Sequence, residues 1–292
     1  MKIILFSRPQ TSHDPEALKR LMEAILARGL DYMVNEEFVE LLDQAAGVVT
    51  PPQCRYGAGS PITGEEGLML CLGGDGTLLE GARRLGGAEL PVAGIQAGRL
   101  GFLTGVQGDE AERLFDDLLE GRLKVEQRTM LHLEGDFVEE PESHLALNEI
   151  AIQRGGAGMI SVECYVDGQM VATYHGDGVL LSTPTGSTAY SLSAGGPVVA
   201  PSCACLVISP LAPHNLTMRP VVIPDRSEVC FRVHTRGQGA LLTLDNRTYP
   251  ILDGAEFKAC KAEQHIFLVV PHNTSFYDAL RKKMMWGVDV RG

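Results

Sequence analysis

Apolar residues follow two rhythms along this chain. Up to about residue 124, short continuous apolar runs alternate with stretches whose apolar positions recur every three or four residues. Ile3–Phe6, Leu68–Leu72 and Leu90–Ile95 are the continuous runs, the form taken by parallel strands covered on both faces. Leu18, Leu21, Met22, Ile25 and Leu26 stripe a helix over Pro15–Arg28 that Gly29 stops, and Phe38, Leu41 and Leu42 stripe another near Glu36–Ala45. Leu78, Leu79, Ala82 and Leu85 follow the central run at helical spacing, and a further helix is predicted from Asp109 to about Glu120, its acidic start suiting the helix dipole. Strand and helix in alternation predict a parallel sheet with helices on both faces and ligands beyond the carboxyl ends of the strands. Residues 47–66 carry Pro51, Pro52, Gly57, Gly59, Pro61 and Gly64 and read as a loop.

From Lys124 the pattern becomes one of β-rich or alternating segments: Leu123–Leu133, Leu145–Gln153, Ser161–Val166, Met170–Tyr174, Val179–Ser182, Leu206–Ser209, Val221–Ile223, Glu228–Val233, Ala240–Leu244 and His265–Val270, with turns such as Asp167-Gly168 between them. Thr274–Trp286 returns to helical spacing through Phe276, Leu280 and Met284. The predicted fold class is an α/β N-terminal domain with a Rossmann-like parallel sheet (residues 1–124), then an all-β sandwich-like domain (125–271), then a C-terminal segment (272–292) packing back on the first domain.

Composition narrows the function classes. The 292 residues carry a net charge of −12, which argues against broad contact with nucleic acid or an anionic membrane, so any phosphate site is local. No apolar run approaches a membrane span, and the first residues are too short an apolar run for a signal peptide. The seven cysteines lack CxxC spacing, and Cys71 and Cys230 read as buried strand thiols, so a reducing cytoplasm is expected. The eight histidines are dispersed, without metal-ligand spacing.

The joint between Leu68–Leu72 and its helix is Gly73-Gly74-Asp75-Gly76-Thr77. Glycines there admit a bulky ligand to the backbone, and the free N–H groups that begin a helix attract anions. Asp75 is the anomaly, because a carboxylate beside a phosphate is repelled unless a divalent cation bridges the two or the carboxylate has chemical work to do. A plain glycine turn remains the alternative for these residues alone. Asn148-Glu149, inside a β run, reads either as a solvated edge or as donors and acceptors for a sugar or an adenine edge. From His175 to Pro201 small hydroxyl residues crowd around glycines: Thr185, Ser187, Thr188 and Ser193 suit ribose or phosphate, Tyr190 suits stacking and Asp177 suits an amide or hydroxyl. Three prolines give Ser209–Pro220 an extended path, where His214 reads as a backbone-satisfied loop histidine. GxxxxGK[ST] and GxGxxG are both absent, so neither a P-loop enzyme nor a Rossmann dehydrogenase is supported.

In this order, Gly73–Thr77, Asn148-Glu149, Gly176-Asp177-Gly178, Ser182–Tyr190, Gly195-Gly196-Pro197 and Pro213-His214 with Arg219-Pro220 resemble the NAD kinases. The likeness runs from Leu68 to Trp286, and the Thr185–Tyr190 stretch and the Pro-His-x-Leu loop separate it from the lipid kinases that share the glycine turn. The resemblance implies phosphorylation of the adenosine-ribose 2′-hydroxyl of NAD by ATP or another phosphoryl donor with a divalent cation, Mg²⁺, and Asp75 as general base or, alternatively, as a group that helps hold the metal. It also implies that Gly74, Gly76 and Thr77 approach the donor phosphates, while Asn148 and Glu149 bind the adenosine part. Asp177, Thr185 and the Thr188-Ala189-Tyr190-Ser191 to Ser193 turn would enclose NAD, which His175 and Ala212 would line. No protein ligand for the metal is assigned. A homodimer or homotetramer acting on small-molecule nucleotides is expected. The chain departs from the family pattern at Gln96, where relatives carry Asn, and at Asp245-Asn246-Arg247, where relatives carry Asp-Gly-Gln. The weighed rivals are a lipid kinase of the same superfamily, disfavoured by the acidic charge, and a sensor that binds NAD(P) without turnover.

Overall fold

A computed structural model describes residues 2–57, 62, 67–86, 88–96, 101–106, 110–137, 144–235, 237, 239–272 and 274–287. In order, the elements of the first half are β1 (Lys2–Phe6), α1 (Pro15–Ala27), β2 (Asp31–Asn35), α2 (Glu36–Ala46), β3 (Arg55–Tyr56), β4 (Leu68–Leu72), α3 (Asp75–Arg84), β5 (Pro91–Ile95) and α4 (Ala111–Leu119). Then come β6 (Val125–Gly135), β7 (Leu145–Ala146), β8 (Glu149–Arg154), β9 (Ile160–Val166), β10 (Gln169–Gly176), β11 (Gly178–Ser182), α5 (Tyr190–Ser193), β12 (Cys205–Leu211), β13 (Val221–Pro224), β14 (Val229–His234), β15 (Ala240–Leu244), β16 (Arg247–Ile251), β17 (Glu256–Val269) and α6 (Phe276–Met284). The chain divides into two compact units, one of residues 1–127 with 266–292 and one of residues 128–265.

The first unit is α/β. Its parallel strands run β5-β4-β1-β2-β3, and the end of β17 joins β5, Phe267 pairing with Pro91. Every residue of β4 is buried, as its unbroken apolar run requires. Leu5, Leu70 and Leu72 pack with Leu18, Leu21, Phe38, Leu42 and Phe115 from α1, α2 and α4. On the opposite face α3 comes close enough that a Cβ on Gly81 would overlap the Cys71 sulfur and stand 3.3 Å from Phe6. The chain thus leaves β1 toward one face and the adjacent β4 toward the other, and such a switch point opens a crevice at the carboxyl ends of the strands. Asp14 caps α1 by accepting the Glu16 N–H, and Gly47 closes α2 in the left-handed conformation at φ 66°. The expected loop at 47–66 contains a 3₁₀ turn, Pro52–Cys54, and the edge strand β3, which pairs Arg55 with Val34; residues 58–61 and 63–66 lie outside the described residues. Asp109, placed at the start of α4 by its pattern, also lies outside them, as do residues 97–100 of the turn after β5.

The second unit is a sandwich of two antiparallel sheets. One runs β10-β9-β14-β17, with β6 paired to β17 and β7 to β6; the other runs β13-β12-β11-β8-β15-β16. Ile150, Ile152, Val179, Leu181, Ile208 and Leu242 from one sheet meet Leu131, Val162, Phe231, Val233 and Phe257 from the other. Alternation along β8 and β11 sends Ala151 and Leu180 to the outer face, where they meet Leu211 and Ala194. Asp167 and Gly168, at φ 50° and 76°, make the hairpin turn between β9 and β10. Cys230 is half-buried on β14, whereas Cys71 is fully buried, a correction to reading both as buried thiols.

Candidate active site

On the α/β unit the glycine turn does what its composition requires. Gly73 takes φ 155°, and a Cβ there would overlap the Thr77 side chain; its N–H donates to the Ile95 carbonyl at 3.0 Å. Gly74 is the N-cap of α3, and a Cβ on it would meet nothing within 4 Å among the described residues. Gly76 lies under Arg8, whose Nη1 stands 3.1 Å from where its Cβ would sit. Thr77 is buried and donates its N–H to the Gly74 carbonyl at 2.9 Å.

Asp75, the first residue of α3, turns its carboxylate onto the segment after β5. Oδ1 accepts the N–H groups of Leu103 at 3.0 Å and Thr104 at 3.1 Å and the Thr104 hydroxyl at 3.2 Å. Oδ2 accepts the Phe102 N–H at 2.8 Å and has Lys283 Nζ at 3.4 Å. Gly101 is glycine for cause, since a Cβ there would overlap Asp75 Oδ1. An ionised carboxylate offers about four lone-pair sites, so Oδ1 is fully engaged and Oδ2 retains acceptor capacity.

On the β unit the remaining predicted residues, except His175 on β10 of the first sheet, gather on or beside the second sheet. Asn148 sits between β7 and β8, and a Cβ on Gly186 would overlap its carbonyl oxygen, so the Thr185–Thr188 turn lies directly on the Asn148 backbone. Both Asn148 and Glu149 are buried, 8% and 6% exposed, which overturns the solvated-edge reading. Burial, then the nearby Asp245 charge, raises the Glu149 carboxyl to about 8, against which it accepts the Tyr190 N–H. Among the described residues its Oε2 has no partner, and neither has the buried hydroxyl of Ser182, which lies directly opposite on β11. Asp177, Tyr190, Ser193 and Ala212 line a groove of ≈ 510 Å³ beside Pro213 and Arg219. Ala212 bends the chain there at φ 39°, and Gly176 makes room for it, a Cβ on Gly176 standing 2.6 Å from the Ala212 carbonyl oxygen. Asp177 pairs with Arg154 at 2.7 Å, and the Tyr190 hydroxyl donates to Gln153 Oε1 at 3.1 Å.

Other predicted residues spend their groups on the fold. Thr188 Oγ1 donates to the Thr185 carbonyl at 3.3 Å, Ser191 and Ser209 share a hydroxyl contact at 3.3 Å, and the Ala189 N–H donates to the Gly186 carbonyl at 2.9 Å. Thr185 is buried at the start of that turn. His175 is not among the groove-lining residues: its Nδ1 shares a 2.7 Å hydrogen bond with Ser161 Oγ, and its carbonyl accepts the His214 N–H at 2.8 Å.

Sequence patterns missed four residues. Asp245 is partly buried, and its carboxylate accepts the N–H groups of Leu147, Asn148 and Glu149 at 2.9, 2.7 and 3.2 Å. Thr104, Lys283 and Ser182 complete the set, and their only sequence signal was position within or near a quoted motif.

A glycine turn that opens a helix on a parallel-sheet unit, and on a β unit a groove lined by Asp177, Tyr190, Ser193 and Ala212, suit a nucleotide kinase. Residues 3–123 match the ATP-NAD kinase N-terminal domain and residues 147–270 the ATP-NAD kinase C-terminal domain. An NAD kinase of Cytophaga hutchinsonii is 36% identical over 292 residues, 100% of both chains, and one of Bacteroides fragilis is 40% identical over 225 residues, 77% of this chain and 78% of that protein. Yeast NADH kinase complexed with NADH shares the fold at TM-score 0.85 and 24% identity, covering 100% of this chain and 89% of that one. An Archaeoglobus fulgidus NAD kinase in complex with ATP aligns at TM-score 0.73 and 25% identity, covering 98% of each chain. The chain belongs to the NAD kinase family.

Proposed function

We propose that this chain transfers the γ-phosphoryl group of ATP to the 2′-hydroxyl of the adenosine ribose of NAD, giving NADP. The observation that carries the reading is the asymmetry of Asp75: Oδ1 is locked by three donors, while Oδ2 keeps acceptor capacity for a hydroxyl. As the ribose oxygen bonds to phosphorus and the bond to ADP breaks, the hydroxyl proton passes to Oδ2. Such transfers run through loose transition states, so the carboxylate's first task is to orient the hydroxyl. Gly74 and Gly76 leave the amides at the start of α3 open to the donor phosphates. The paired orphan atoms, Glu149 Oε2 and Ser182 Oγ, suit the polar edge of an adenosine, and Asp177, Tyr190, Ser193 and Ala212 suit the rest of the dinucleotide. In this reading Asn148, Thr185, Thr188, Ala189 and Ser191 shape the pocket wall, and His175 stands behind it through its backbone.

Among the described residues no group of three or more His, Cys, Asp or Glu could hold a metal. Mg²⁺ ordinarily binds through one or two carboxylates plus substrate phosphates. With Oδ1 engaged and Oδ2 left to the hydroxyl, the donor phosphates would hold the cation, which would neutralise their charge. No helix of the described residues is long and apolar enough to cross a membrane. The seven unpaired cysteines support a cytoplasmic setting, and exposed Val221 and Val222 on the edge strand β13 support a homodimer or homotetramer, which light scattering would measure.

Incubation of purified protein with NAD, ATP and Mg²⁺ should yield NADP stoichiometric with ADP. Phosphorylation of a lipid in place of NAD, or binding without turnover, would reject the reading.

A further inference from the structure

No residue within the glycine turn itself is cationic, although the Arg8 guanidinium reaches over Gly76. A P-loop carries its phosphate-binding lysine within the loop, whereas the residue among these glycines is Asp75, in a chain of net charge −12. Phosphoryl transfer nevertheless spreads negative charge over the equatorial oxygens and is accelerated by cations placed against them.

The fold imports such a cation from 208 residues away. Lys283 stands in the last turn of α6, a helix begun by the reciprocal Ser275–Asp278 capping box. Its Nζ lies 3.4 Å from Asp75 Oδ2 and 4.3 Å from the centroid of the Phe102 ring. The ammonium is not consumed by Asp75. Charge-assisted N–H···O bonds close to about 2.7–2.9 Å, and Oδ2 already takes the Phe102 N–H at 2.8 Å. An ammonium has three donors, and this side chain remains 33% exposed. The Phe102 face steadies the amine on one side without using a hydrogen bond.

We propose that Lys283 is a phosphate-binding cation of this site, acting on the Asp75 side of a turn whose Gly76 lies under Arg8. Its ammonium engages the terminal phosphate oxygens of the donor at the Gly74–Gly76 turn, and in doing so leaves Asp75 Oδ2 to the incoming hydroxyl. The proposal rests on the kinase reading for the identity of the donor.

The test compares Lys283→Met, Lys283→Arg and a control, Lys282→Met. Calorimetry measures a non-hydrolysable ATP analogue with Mg²⁺ and, separately, NAD; NADP formation gives kcat. Lys283→Met should weaken the analogue at least 10-fold, flatten the salt dependence of its affinity, lower kcat at least 30-fold, and leave NAD affinity within 2-fold. Lys283→Arg should recover most of the analogue affinity, and Lys282→Met should match the parent. Unchanged analogue affinity in Lys283→Met overturns the proposal while leaving the kinase reading intact if the parent makes NADP. Equal loss of both ligands, or a melting temperature well below the parent's, also overturns it, by assigning Lys283 a purely structural part. A parent that makes no NADP rejects the kinase reading, and the analogue titration then still judges Lys283.

Discussion

Asp245 and Glu149 hold each other by the backbone. The Asp245 N–H donates to the Glu149 carbonyl at 3.0 Å, and Asp245 Oδ1 accepts the Glu149 N–H at 3.2 Å, while the charge of the partly buried Asp245 acts on the buried Glu149 carboxyl. One carboxylate thus shapes the strand that presents the other. The arrangement makes Asp245→Asn a severe change, because an amide NH₂ would face N–H donors from Leu147 or Asn148. A loss of about 2–4 kcal/mol is expected, the scale of a buried charge-assisted network broken on one side, with dinucleotide affinity falling alongside. Urea unfolding and NAD titration measure both.

Glu149 gives a pH dependence with a definite sign. Its folded-state value of about 8 lies above the ordinary 4.5, so the native chain keeps the proton while the unfolded chain has lost it. Stability from this group is fully present below pH 4.5 and is lost as pH rises toward about 8. Glu149→Gln should remove that slope and be more stable than the parent at pH 8 by about 2–4 kcal/mol. Unfolding curves between pH 5 and pH 8 that run parallel for the two proteins would contradict the assignment.

Two glycines should respond oppositely to alanine. At Gly186 the new Cβ overlaps the Asn148 carbonyl oxygen and stands 2.8 Å from Asn148 Cα, backbone that cannot give way cheaply, so Gly186→Ala should lose about 2 kcal/mol or more of stability. At Gly74 a Cβ meets nothing, so Gly74→Ala should melt with the parent and yet raise KM for ATP about 10-fold by crowding the phosphate. Melting curves paired with kinetics separate the cases.

Asp75→Asn should lower kcat by about 10²-fold or more while NAD still binds. It should also loosen the 102–104 turn, because one end of the amide confronts backbone N–H groups that now meet carboxylate oxygens. Hydrogen exchange at Phe102, Leu103 and Thr104 should therefore quicken in step with the kinetic loss.

Periodicity made most elements legible, because a core-facing stripe or an unbroken apolar run is written residue by residue. It failed where burial is one-sided and charged. Only the His265–Val270 end of β17 was visible, since charged Lys258, Lys261 and Glu263 interrupt its apolar positions out of a strict two-residue period, and β16 went unread behind Asn246 and Pro250. The site shows the same division. Gly73–Thr77 is legible as a local strand-turn-helix joint, and Thr185–Tyr190 as a local turn. Asp245 is not, because it acts on backbone N–H groups 96 to 98 residues away, and a main-chain donor leaves no trace in residue identity. Glu149's burial was likewise hidden, as nothing in Asn-Glu tells a wet edge from a dry one until Gly186 closes over Asn148.

The contact between Asp75 and Lys283 also sets an order of events during synthesis. A ribosome adds 208 residues after Asp75 before the Lys283 ammonium exists, and within that interval the glycine turn, its strand and its helix can emerge and fold. Until α6 has been synthesised and docked, Asp75 faces solvent without its cation, so a nascent or prematurely cleaved chain would carry the fold of a kinase and little of its power. Catalytic competence would in this way report that translation had passed residue 283.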